Sequence, residues 1–335
     1  MEIRPNTVGA VVVTYNRRHL LEKVLDSLLA QTRLVDHIYV VDNASTDGTA
    51  DYLSNLTLTK LSVKRLPTNT GGAGGFSTGM KWAYDEGHEW IWLLDDDVLP
   101  AVDCLEKLLA HRTTASRSRD SIGGVDSGSV AAPRAVIIPL RLNGRGQVAE
   151  CAVQSLNLGD PFVRTFKSKS LCVLYQDPSS VPATIPVADF AFEGPLIHRK
   201  VPEQIGFPRP EFFILCDDTE YALRMQRVGF DYPICVSDAH LFRIGDEPSL
   251  DSDSGPSWRQ YYFWRNTLII QNEYAMNLIM AYRPYLFFAL STAKLFARGR
   301  LSVTEAVMRW RAFSDSIART FPRPYLPLSG QPTLL

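Results

Sequence analysis

Cysteine is scarce in this 335-residue sequence, and no two cysteines are spaced as a metal-binding pair. The five cysteines are scattered, and no C-x-x-C motif occurs. This argues against a structural zinc site and a disulfide framework and favours a reduced, cytoplasmic protein. Residues 1–16 also lack the basic segment followed by an apolar run that is typical of a signal peptide.

Long uninterrupted apolar segments are missing as well. The most apolar long stretch, residues 277–296, is broken by Arg283, Pro284 and Lys294. Because a membrane-spanning helix needs about 20 predominantly apolar residues, we expect that this stretch does not cross a membrane. Peripheral attachment at the inner face of the cell membrane stays open.

Net charge is nearly absent, but the charges are unevenly distributed. The chain has a formal charge of −1. Residues 258–325 hold 10 Lys and Arg against 3 Asp and Glu, whereas residues 1–257 hold 25 against 33. A basic C-terminal region suits contact with an anionic surface, and it suits docking on the acidic body equally well. We expect no nucleic-acid partner, and the oligomeric state stays open.

What the sequence does contain is a regular alternation of apolar segments. Residues 8–16 form a short apolar run, residues 36–49 form a second one that ends in a polar turn, and residues 61–67 are a third predicted strand. Residues 17–32 place leucine and valine at helical spacing. This β–α–β–α–β order predicts a parallel, doubly wound sheet. Ligands bind such sheets beyond the carboxyl ends of the strands.

Four polar segments fall at or beside the predicted strand ends, and we expect them to converge on one crevice. These segments are 14–17, 42–49, 69–76 and 95–97. Further along the chain, the patterns predict an exposed loop at 112–129, strands at 130–140, 187–199 and 232–242, a helix that begins at Asp217 and Asp218, and helices from Trp258 onward.

Three consecutive carboxylates follow the apolar run WIWLL. Asp95 and Asp97 share one side of this strand end because side chains alternate along a strand. Their repulsion is costly unless a cation offsets it, and both Mg²⁺ and Mn²⁺ prefer carboxylate oxygens. A solvated acidic turn is the alternative, but the apolar run and the neighbouring glycines favour a metal site.

Residues 69–76, NTGGAGGF, hold four glycines in five positions. Glycine lets the backbone approach a ligand closely. The segment does not match G-x-G-x-x-G, because Ser77 stands at the third glycine position, and it lacks the G-K-[ST] of a P-loop. We expect a ligand-binding loop, with a plain flexible turn as the alternative.

Other polar residues allow two interpretations each. Asp42 can accept two hydrogen bonds from a base or ribose, while the polar residues 45–47 can cap the next helix. In residues 216–220, CDDTE, a carboxylate can act as a general base or simply cap a helix. His240 is either a metal ligand or a hydrogen-bonded core histidine, and its residue type alone favours the core.

Together and in this order, these segments resemble a known family. The chain is similar to the inverting, nucleotide-sugar-dependent glycosyltransferases of family 2 across roughly residues 8–270, through VVVTYNR, VVDNASTDGT, NTGGAGGF, WLLDDD, FFILCDDTEYALR, His240 and YYFWRN. It looks closest to the bacterial branch of rhamnosyltransferases and galactofuranosyltransferases. NTGGAGGF with the triple Asp leans toward the galactofuranosyltransferases.

The resemblance implies a fold and a domain organisation. The fold is GT-A, an α/β architecture with a doubly wound, Rossmann-like mixed sheet and a C-terminal helical extension. Residues 1–257 form the nucleotide-sugar-binding catalytic domain, and residues 258–335 form a helical, basic and aromatic region.

The resemblance also implies roles for individual residues. The nucleotide side of the donor is bound by Thr14, Asn16, Arg17 and Asp42. The diphosphate and donor sugar lie beside Asn69, Gly71, Gly72, Gly74 and Gly75, and Asp96 faces the donor sugar or its ribose. The divalent cation, Mn²⁺ or Mg²⁺, is held by Asp95, Asp97 and His240. Asp218 is the implied catalytic base. Cys216 departs from that branch, which often carries Trp or another large residue there, and this implies an altered acceptor pocket.

The implied reaction is a single displacement with inversion. Asp218 takes the proton from an acceptor hydroxyl that attacks the anomeric carbon, and the cation and backbone amides hold the departing diphosphate. UDP-galactofuranose is the favoured donor and dTDP-rhamnose the alternative. The acceptor is a glycan or a polyprenyl-diphosphate-linked glycan of cell-surface polysaccharide synthesis. Aromatic and basic residues after Trp258 suit such an acceptor or anionic headgroups.

Three other classes fit less well. A haloacid-dehalogenase-like phosphatase also has an apolar strand before D-x-D, but there the motif ends the first strand of the domain. A nucleotidyltransferase carries a Gly-rich loop after the first strand, where TYNRRHL has no glycine. A non-catalytic sugar-binding scaffold needs neither the acidic turn nor the Asp218 carboxylate.

Overall fold

The computed structural model describes residues 3–113, 133–244, 251–252 and 255–321. Its strands are β1 Arg4–Thr14, β2 His37–Asp42, β3 Leu61–Arg65, β4 His88–Asp95, β5 Val98–Pro100, β6 Val136–Leu142, β7 Val153–Leu156, β8 Lys167–Ser170, β9 Thr184–Pro186, β10 Leu196–His198, β11 Ile234–Arg243, β12 Asp251–Ser252 and β13 Gly255–Pro256. Its α-helices are α1 Arg18–Leu29, α2 Thr49–Ser54, α3 Gly71–Asp85, α4 Cys104–Ala110, α5 Leu171–Leu174, α6 Lys200–Ile205, α7 Asp217–Arg227, α8 Trp258–Glu273, α9 Leu278–Ala297 and α10 Val303–Ala318.

One mixed sheet organises the molecule. Across the described ranges it has nine strands, in the order β3-β2-β1-β4-β10-β6-β11-β5, with β9 paired to β11. β1 runs parallel to β2 and β4, and β2 runs parallel to β3. β10 lies antiparallel between β4 and β6, and β5 is antiparallel to β11. The predicted α/β, doubly wound mixed sheet is therefore confirmed.

The alternation of side chains along β1 builds a core on both faces of the sheet. Val11 and Val13 point to one face, where they share a buried cluster with Phe76 of α3. Val12 points to the other face and clusters with Leu25 of α1. Because helices cover both faces, the carboxyl edge of the parallel strands is where polar side chains can gather.

The glycine-rich segment differs from the sequence prediction. Residues 71–75 were expected in a loop, but they form the first turn of α3. Glycine has a low helix propensity, and here close packing overrides it. A Cβ atom on Gly75 would lie 2.4 Å from Cγ1 of Val13 on β1, so a larger residue would push the helix off the sheet.

Two further elements differ from their predicted bounds, and one prediction is not addressed. In place of a strand over 187–199, the chain forms the short strand β10, because the residues before it make irregular turns. The strand expected at 130–140 begins later, as β6. The loop expected at 112–129 lies largely outside the described residues.

The C-terminal helices pack on the segment that precedes α7. Tyr261 and Tyr262 of α8 are buried with Phe213, and α10 adds Met308 and Ala312 to the same cluster. α8 begins where the sequence suggested a boundary, and the Ser257 side chain caps it; the division into two domains stays a prediction. Among the helices in the described ranges, none has the length and apolar character to cross a membrane.

Candidate active site

Three parallel strands end side by side at one edge of the sheet. β1 ends at Thr14, β2 at Asp42 and β4 at Asp95. The register pairs Thr14 with Asp42, and Val13 with Asp95, so that the three ends are level. The polar side chains predicted at these ends are thus brought together.

Asp96 and Asp97 are buried and are held by groups from the end of β1. Oδ2 of Asp96 accepts hydrogen bonds from the Thr14 hydroxyl at 2.7 Å and from the Tyr15 N–H at 3.3 Å. Nη1 of Arg17 donates to both Asp96 and Asp97, each at 2.9 Å. Burial raises the pKa of Asp96 to about 6, although Arg17 and the Thr14 hydroxyl counteract this. The structure therefore groups Thr14, Arg17 and Asp96.

The carboxylates of Asp95 and Asp97 fit a bound cation. Burial raises the pKa of Asp95 well above its usual range, and the neighbouring Asp97 and Asp96 raise it further. Oδ1 of Asp97 is buried and has no hydrogen-bond partner within the described part of the chain. Buried carboxylate oxygens without a partner are costly, and a hard divalent cation is the kind of partner that satisfies them.

Of the polar residues on β11, His240 contacts a backbone carbonyl, whereas Arg243 contacts residues 95–97, which we call the acidic turn. Nε2 of His240 lies 3.0 Å from the carbonyl oxygen of Ser237. Arg243 stands opposite Val98 in the β5–β11 pair, and its Nη2 donates to Oδ2 of Asp97 at 3.1 Å. Within the described ranges, no group of three or more His, Cys, Asp and Glu side chains is arranged to hold a metal ion. The ligand role of His240 stays a prediction.

The turn after β2 is cross-linked to the end of β1. Oδ1 of Asp42 accepts a hydrogen bond from the Ser45 N–H at 2.8 Å, and Nε of Arg65 lies 3.4 Å from Oδ2. Oδ1 of Asn16 accepts a hydrogen bond from the Thr46 N–H at 2.6 Å. Asp42 and Asn16 therefore lie at the same edge of the sheet as the acidic turn. Oδ2 of Asp42 lacks a hydrogen-bond partner among the described residues.

In the turn after β2, Asp47 caps the helices, whereas Asp42 is the residue expected to bind the donor. Asp47 accepts a hydrogen bond from the Thr49 N–H at the start of α2 at 3.2 Å, and another from the Arg18 N–H at the start of α1 at 2.9 Å. Asp42 takes no part in these two bonds, so capping and donor binding do not compete for one side chain.

The N-terminus of α3 is tied to this edge by asparagine side chains. Asn43 donates to the Gly71 carbonyl oxygen at 2.9 Å and accepts from the Thr70 N–H at 2.8 Å. Asn69 accepts from the Gly71 N–H at 2.8 Å. Gly71 has a φ of +70°, and a Cβ there would lie 2.0 Å from the Phe213 carbonyl oxygen, so only glycine fits. The first turn has no acidic residue, so the positive end of the helix dipole is free to attract an anion.

A second pair of carboxylates begins α7. Asp217 is buried, and burial together with the charge of Asp218 raises the pKa of Asp217 well above its usual range. Asp218 is half-buried, and its Oδ1 accepts a hydrogen bond from the Thr219 N–H at 2.6 Å. Burial raises the pKa of Asp218 as well, while the Lys167 ammonium group counteracts the rise. A carboxylate of raised pKa beside a crevice suits proton transfer.

The residues just before α7 are held in an unusual backbone conformation by α8. Asn266 is fully buried, and its Nδ2 donates to three carbonyl oxygens of residues 212–215, at 2.7 to 3.0 Å. Arg265, also fully buried, donates to two carbonyl oxygens of residues 211–212. These bonds offset the strain of positive φ angles near +65° at Phe213, Leu215 and Cys216.

The acidic turn and the start of α7 are connected by one short segment. Glu193 pairs with Arg243 at 3.2 Å, and Arg243 in turn contacts the acidic turn. Asp189, four residues earlier, lies 3.3 Å from the hydroxyl of Thr219, the residue that follows Asp218. Four residues span at most about 14 Å. Residues 189–193 therefore link the acidic turn to the start of α7, where Asp218 lies.

A third arginine approaches the acidic turn from α8. Burial lowers the pKa of Arg259, the charges of Arg17 and Arg243 lower it further, and Asp95 and Asp97 counteract this. Nε of Arg259 is buried without a hydrogen-bond partner in the described part of the chain. The crevice is therefore rich in arginine as well as in carboxylates.

Sequence reasoning missed several of these residues. Asn43 follows a strand end directly and could have been found by that position. Arg259 was noted as part of a basic region, but its approach to the acidic turn was not foreseen. Arg243 and Lys167 gave no usable signal, because their partners lie far away along the chain.

Several known proteins are similar to this chain. Residues 10–121 match the family described as glycosyl transferase family 2. Galactofuranosyltransferase GlfT1 of Mycolicibacterium smegmatis is 31% identical over 245 residues, which cover 72% of this chain and 72% of that protein. Galactofuranosyltransferase GlfT1 of Mycobacterium tuberculosis is 30% identical over 253 residues, which cover 72% and 71%.

Solved structures share the fold. GalNAc-T7 with UDP, GalNAc and Mn²⁺ superimposes with a TM-score of 0.57 at 15% identity; the match covers 95% of this chain and 59% of that chain. S. aureus TarS 1–349 in complex with UDP-GlcNAc gives a TM-score of 0.55 at 16% identity, and covers 93% and 81%. At these identities the likeness concerns the fold alone.

Proposed function

Because the chain belongs to glycosyltransferase family 2, we propose that it transfers galactofuranose from UDP-galactofuranose to a hydroxyl group of a glycan or a polyprenyl-diphosphate-linked glycan. The sugar assignment rests on the two relatives named galactofuranosyltransferase. The observation that supports the chemistry best is the link through residues 189–193, which joins the acidic turn to the start of α7, where Asp218 lies.

Donor binding is proposed at the ends of β1 and β2 and at the start of α3. Asp42 and Asn16 would meet the nucleoside, since they lie at the ends of β2 and β1; Oδ2 of Asp42 forms an ion pair with Arg65 but no hydrogen bond in the described part of the chain. The N-terminal end of α3, whose first turn carries no acidic residue, would meet the diphosphate. Arg17 and Arg259 add positive charge beside the same crevice.

We propose that Asp95 and Asp97 hold a divalent cation, Mn²⁺ or Mg²⁺. Two observations support this cation site. Burial and the neighbouring carboxylates raise the pKa of Asp95, and the buried Oδ1 of Asp97 has no hydrogen-bond partner among the described residues. Such a cation supplies Lewis-acid stabilisation of a diphosphate leaving group. Arg243 and Arg17 already offset part of the charge of Asp97.

The proposed base is Asp218. It takes the proton from the acceptor hydroxyl while that oxygen bonds to the anomeric carbon and the bond from this carbon to the diphosphate breaks. The configuration inverts, and no covalent enzyme intermediate is required. Cys216, next to the acid pair, leaves more room than Trp would, which supports an acceptor pocket of altered shape.

A dTDP-rhamnose donor is the second candidate, because the sequence resembles the rhamnosyltransferases of the same branch. A phosphatase of the haloacid-dehalogenase type has less support, since the acidic turn follows β4 and not the first strand of the chain.

An anionic membrane surface is the proposed partner of α9. Exposed apolar side chains recur every three or four residues along this helix, at Ile279, Tyr282, Leu286 and Leu290, each more than half exposed. The surrounding region, 258–325, carries an excess of seven positive charges. Apolar and basic groups together suit binding to anionic headgroups.

The experiment is a transfer assay on the full chain with Mn²⁺. UDP-galactofuranose, dTDP-rhamnose and UDP-glucose are each offered with a galactofuranosyl acceptor, and the product is identified by mass spectrometry. Asp218→Asn is the matched variant. We expect galactofuranose transfer by the wild type and a loss of about 10²–10⁴-fold in the variant, with donor-induced thermal stabilisation retained in both.

Each other outcome would count against a definite part of the proposal. Incorporation of rhamnose alone would replace the donor. Near-normal turnover by Asp218→Asn would remove Asp218 from its role. Release of inorganic phosphate without any glycoside product would favour the phosphatase.

A further inference from the structure

Lys167 reaches toward the start of α7 from a separate hairpin. β7 and β8 pair as a two-stranded antiparallel sheet, and Lys167 is the first residue of β8. Its Nζ donates to Oδ2 of Asp189 at 2.5 Å and to Oγ1 of Thr219 at 2.8 Å. Thr219 is the residue that follows Asp218, so the ammonium group lies next to the proposed base.

The Thr219 hydroxyl links this lysine to the Asp218 carboxylate. Oγ1 of Thr219 lies 3.3 Å from Oδ1 of Asp218 and 3.3 Å from Oδ2 of Asp189. Since Lys167 has donors only, the hydroxyl accepts from Lys167 and is left to donate to one of the two carboxylates. When the hydroxyl donates to Asp218, it orients that carboxylate together with the Thr219 N–H, which donates to the same Oδ1 at 2.6 Å.

Asp189 is itself anchored, so the network is rigid at its far end. It is buried, and its Oδ1 accepts a hydrogen bond from the Val153 N–H of β7 at 2.9 Å. Gln226 of α7 donates to the carbonyl oxygen of the preceding residue, Ala188. The hairpin, the Asp189 segment and α7 are therefore joined around one carboxylate.

The charged and titratable groups that face Asp218 come from three elements. Lys167 belongs to β8, and Asp189 belongs to the segment between β9 and β10. Asp217 and Cys216 lie at the start of α7. Lys167 is the cation in this set, and its removal leaves Asp218 facing the negative charges of Asp189 and Asp217 among the described residues.

We propose that Lys167 is a positioning residue for the proposed base, which it orients through the Thr219 hydroxyl and keeps ionised against the charge of Asp189. This inference rests on the proposed role of Asp218 as the base. Asp218 must be deprotonated to accept a proton, so the transfer rate falls as the pH drops through its pKa. Because Lys167 lowers that pKa, removing the ammonium charge moves the acidic limb of the pH–rate profile to higher pH.

The size of the effect is limited by solvent. The Lys167 side chain is 41% exposed, so water screens its charge. We expect Lys167→Met to shift the acidic limb of kcat upward by about half a pH unit, which is about a threefold lower rate at a fixed pH on that limb. At high pH, where Asp218 is ionised in both proteins, the rates converge, apart from any loss of orientation.

Asp189→Asn supplies a shift of opposite sign. The amide keeps an oxygen for the Val153 N–H but removes the negative charge that opposes ionisation of Asp218. Lys167 is then also free to turn toward Asp218. We expect the acidic limb to move to lower pH. If Lys167 and Asp189 contributed only to stability, the acidic limbs of the two variants would shift in the same direction or would not shift.

Two variants serve as controls for charge and for location. Lys167→Arg keeps the positive charge, and we expect the acidic limb of its pH–rate profile to lie at the same pH as that of the wild type. Lys169→Met removes the same charge two residues further along β8, from an exposed side chain that forms no ion pair with the described residues, and is also expected to keep that limb. The profiles are measured at saturating Mn²⁺, and donor affinity is measured by calorimetry at each pH.

The outcomes separate this inference from the proposed function. If the wild type transfers no sugar at any pH, the proposed function is wrong. If the wild type is active, Asp218→Asn is inactive and the limb of Lys167→Met coincides with the wild-type limb, the role of Lys167 is wrong. Should Lys167→Met fail to fold, Lys167→Gln is measured in its place, and an acidic limb of Lys167→Gln that coincides with the wild-type limb overturns the inference.

Discussion

Three adjacent aspartates at one strand end differ in what surrounds each carboxylate. Asp96 is bound by the Thr14 hydroxyl and by Arg17. Asp97 accepts from two arginines and yet keeps one buried oxygen without a partner in the described ranges. Asp95 faces mainly other carboxylates, with Arg17 as its counter-charge. One residue type thus meets different surroundings at three adjacent positions, and the donor-facing role of Asp96 and the cation-binding role of Asp95 and Asp97 stay predictions.

Removing Asp97 should uncouple donor binding from the cation. In the wild type we expect Mn²⁺ to tighten binding of UDP at least about tenfold, which corresponds to about 1.4 kcal/mol. In Asp97→Ala that ratio should fall close to one, because one proposed ligand is lost while the arginines remain. Titration calorimetry with and without Mn²⁺ measures both ratios.

Asp85→Ala is the matched control for this substitution. Asp85 is an exposed carboxylate at the far end of α3, paired with Lys81, and its removal should leave the Mn²⁺ ratio unchanged. A wild-type affinity that is the same with and without Mn²⁺ would contradict the cation site.

The residues at strand ends could be predicted from sequence, whereas their pairing partners could not. Asp42, Asp95 and Asp97 follow apolar runs, and parallel strand order brings such ends together. Arg243 belongs to β11, where the pairing with β6 shifts register between Val236 and His240. A sequence pattern does not show such an irregularity, so it does not show which side chain of β11 reaches the acidic turn.

Among the elements, α3 links the two halves of the crevice. Its N–H at Ala73 donates to the Phe213 carbonyl oxygen at 3.1 Å, which holds the segment before α7. Its glycines allow the same helix to lie close to β1. The segment was predicted as a loop because helix propensity is local, and local propensity does not include the fit between a helix and the sheet beneath it.

The close fit of α3 on β1 predicts opposite effects on stability for alanine substitutions at two glycines near the start of the helix. Gly75→Ala should destabilise the protein by about 1–3 kcal/mol, because its Cβ would lie 2.4 Å from Val13 in the packed core. Gly72→Ala meets no atom within 4 Å and should stabilise α3 by up to about 1 kcal/mol. Urea unfolding at equilibrium measures both values. Equal stability of the two variants would show that α3 does not pack on β1 as closely as described.

Across the whole molecule, the helices of the basic C-terminal region differ in how far they pack on the rest of the chain. α8 and α10 pack on the catalytic body and contribute Tyr261, Tyr262 and Met308 to a buried cluster. α9 instead leaves most of its apolar side chains exposed, with Met280 buried at its start. Net charge alone did not separate docking from surface binding, because it does not tell which helix face is covered.

The exposed face of α9 should bind anionic vesicles. We expect the full chain to float with vesicles that contain phosphatidylglycerol, to float less at high salt, and to stay at the bottom with phosphatidylcholine alone. Leu286→Glu combined with Leu290→Glu should lower the bound fraction about tenfold, because it places charge in the apolar face. Point variants suit this test better than removal of the C-terminal region, because removal would also take away Asn266 and its bonds to residues 212–215.

Val102→Glu is the matched control for this test, since Val102 is exposed and lies outside α9. It should bind vesicles like the wild type. Transfer to a soluble acceptor should be unchanged in the α9 double variant, because α9 contributes none of the residues assigned to the crevice. If the double variant floats as well as the wild type, or if the wild type forms a stable dimer through α9 and does not float, the face serves another purpose than membrane contact.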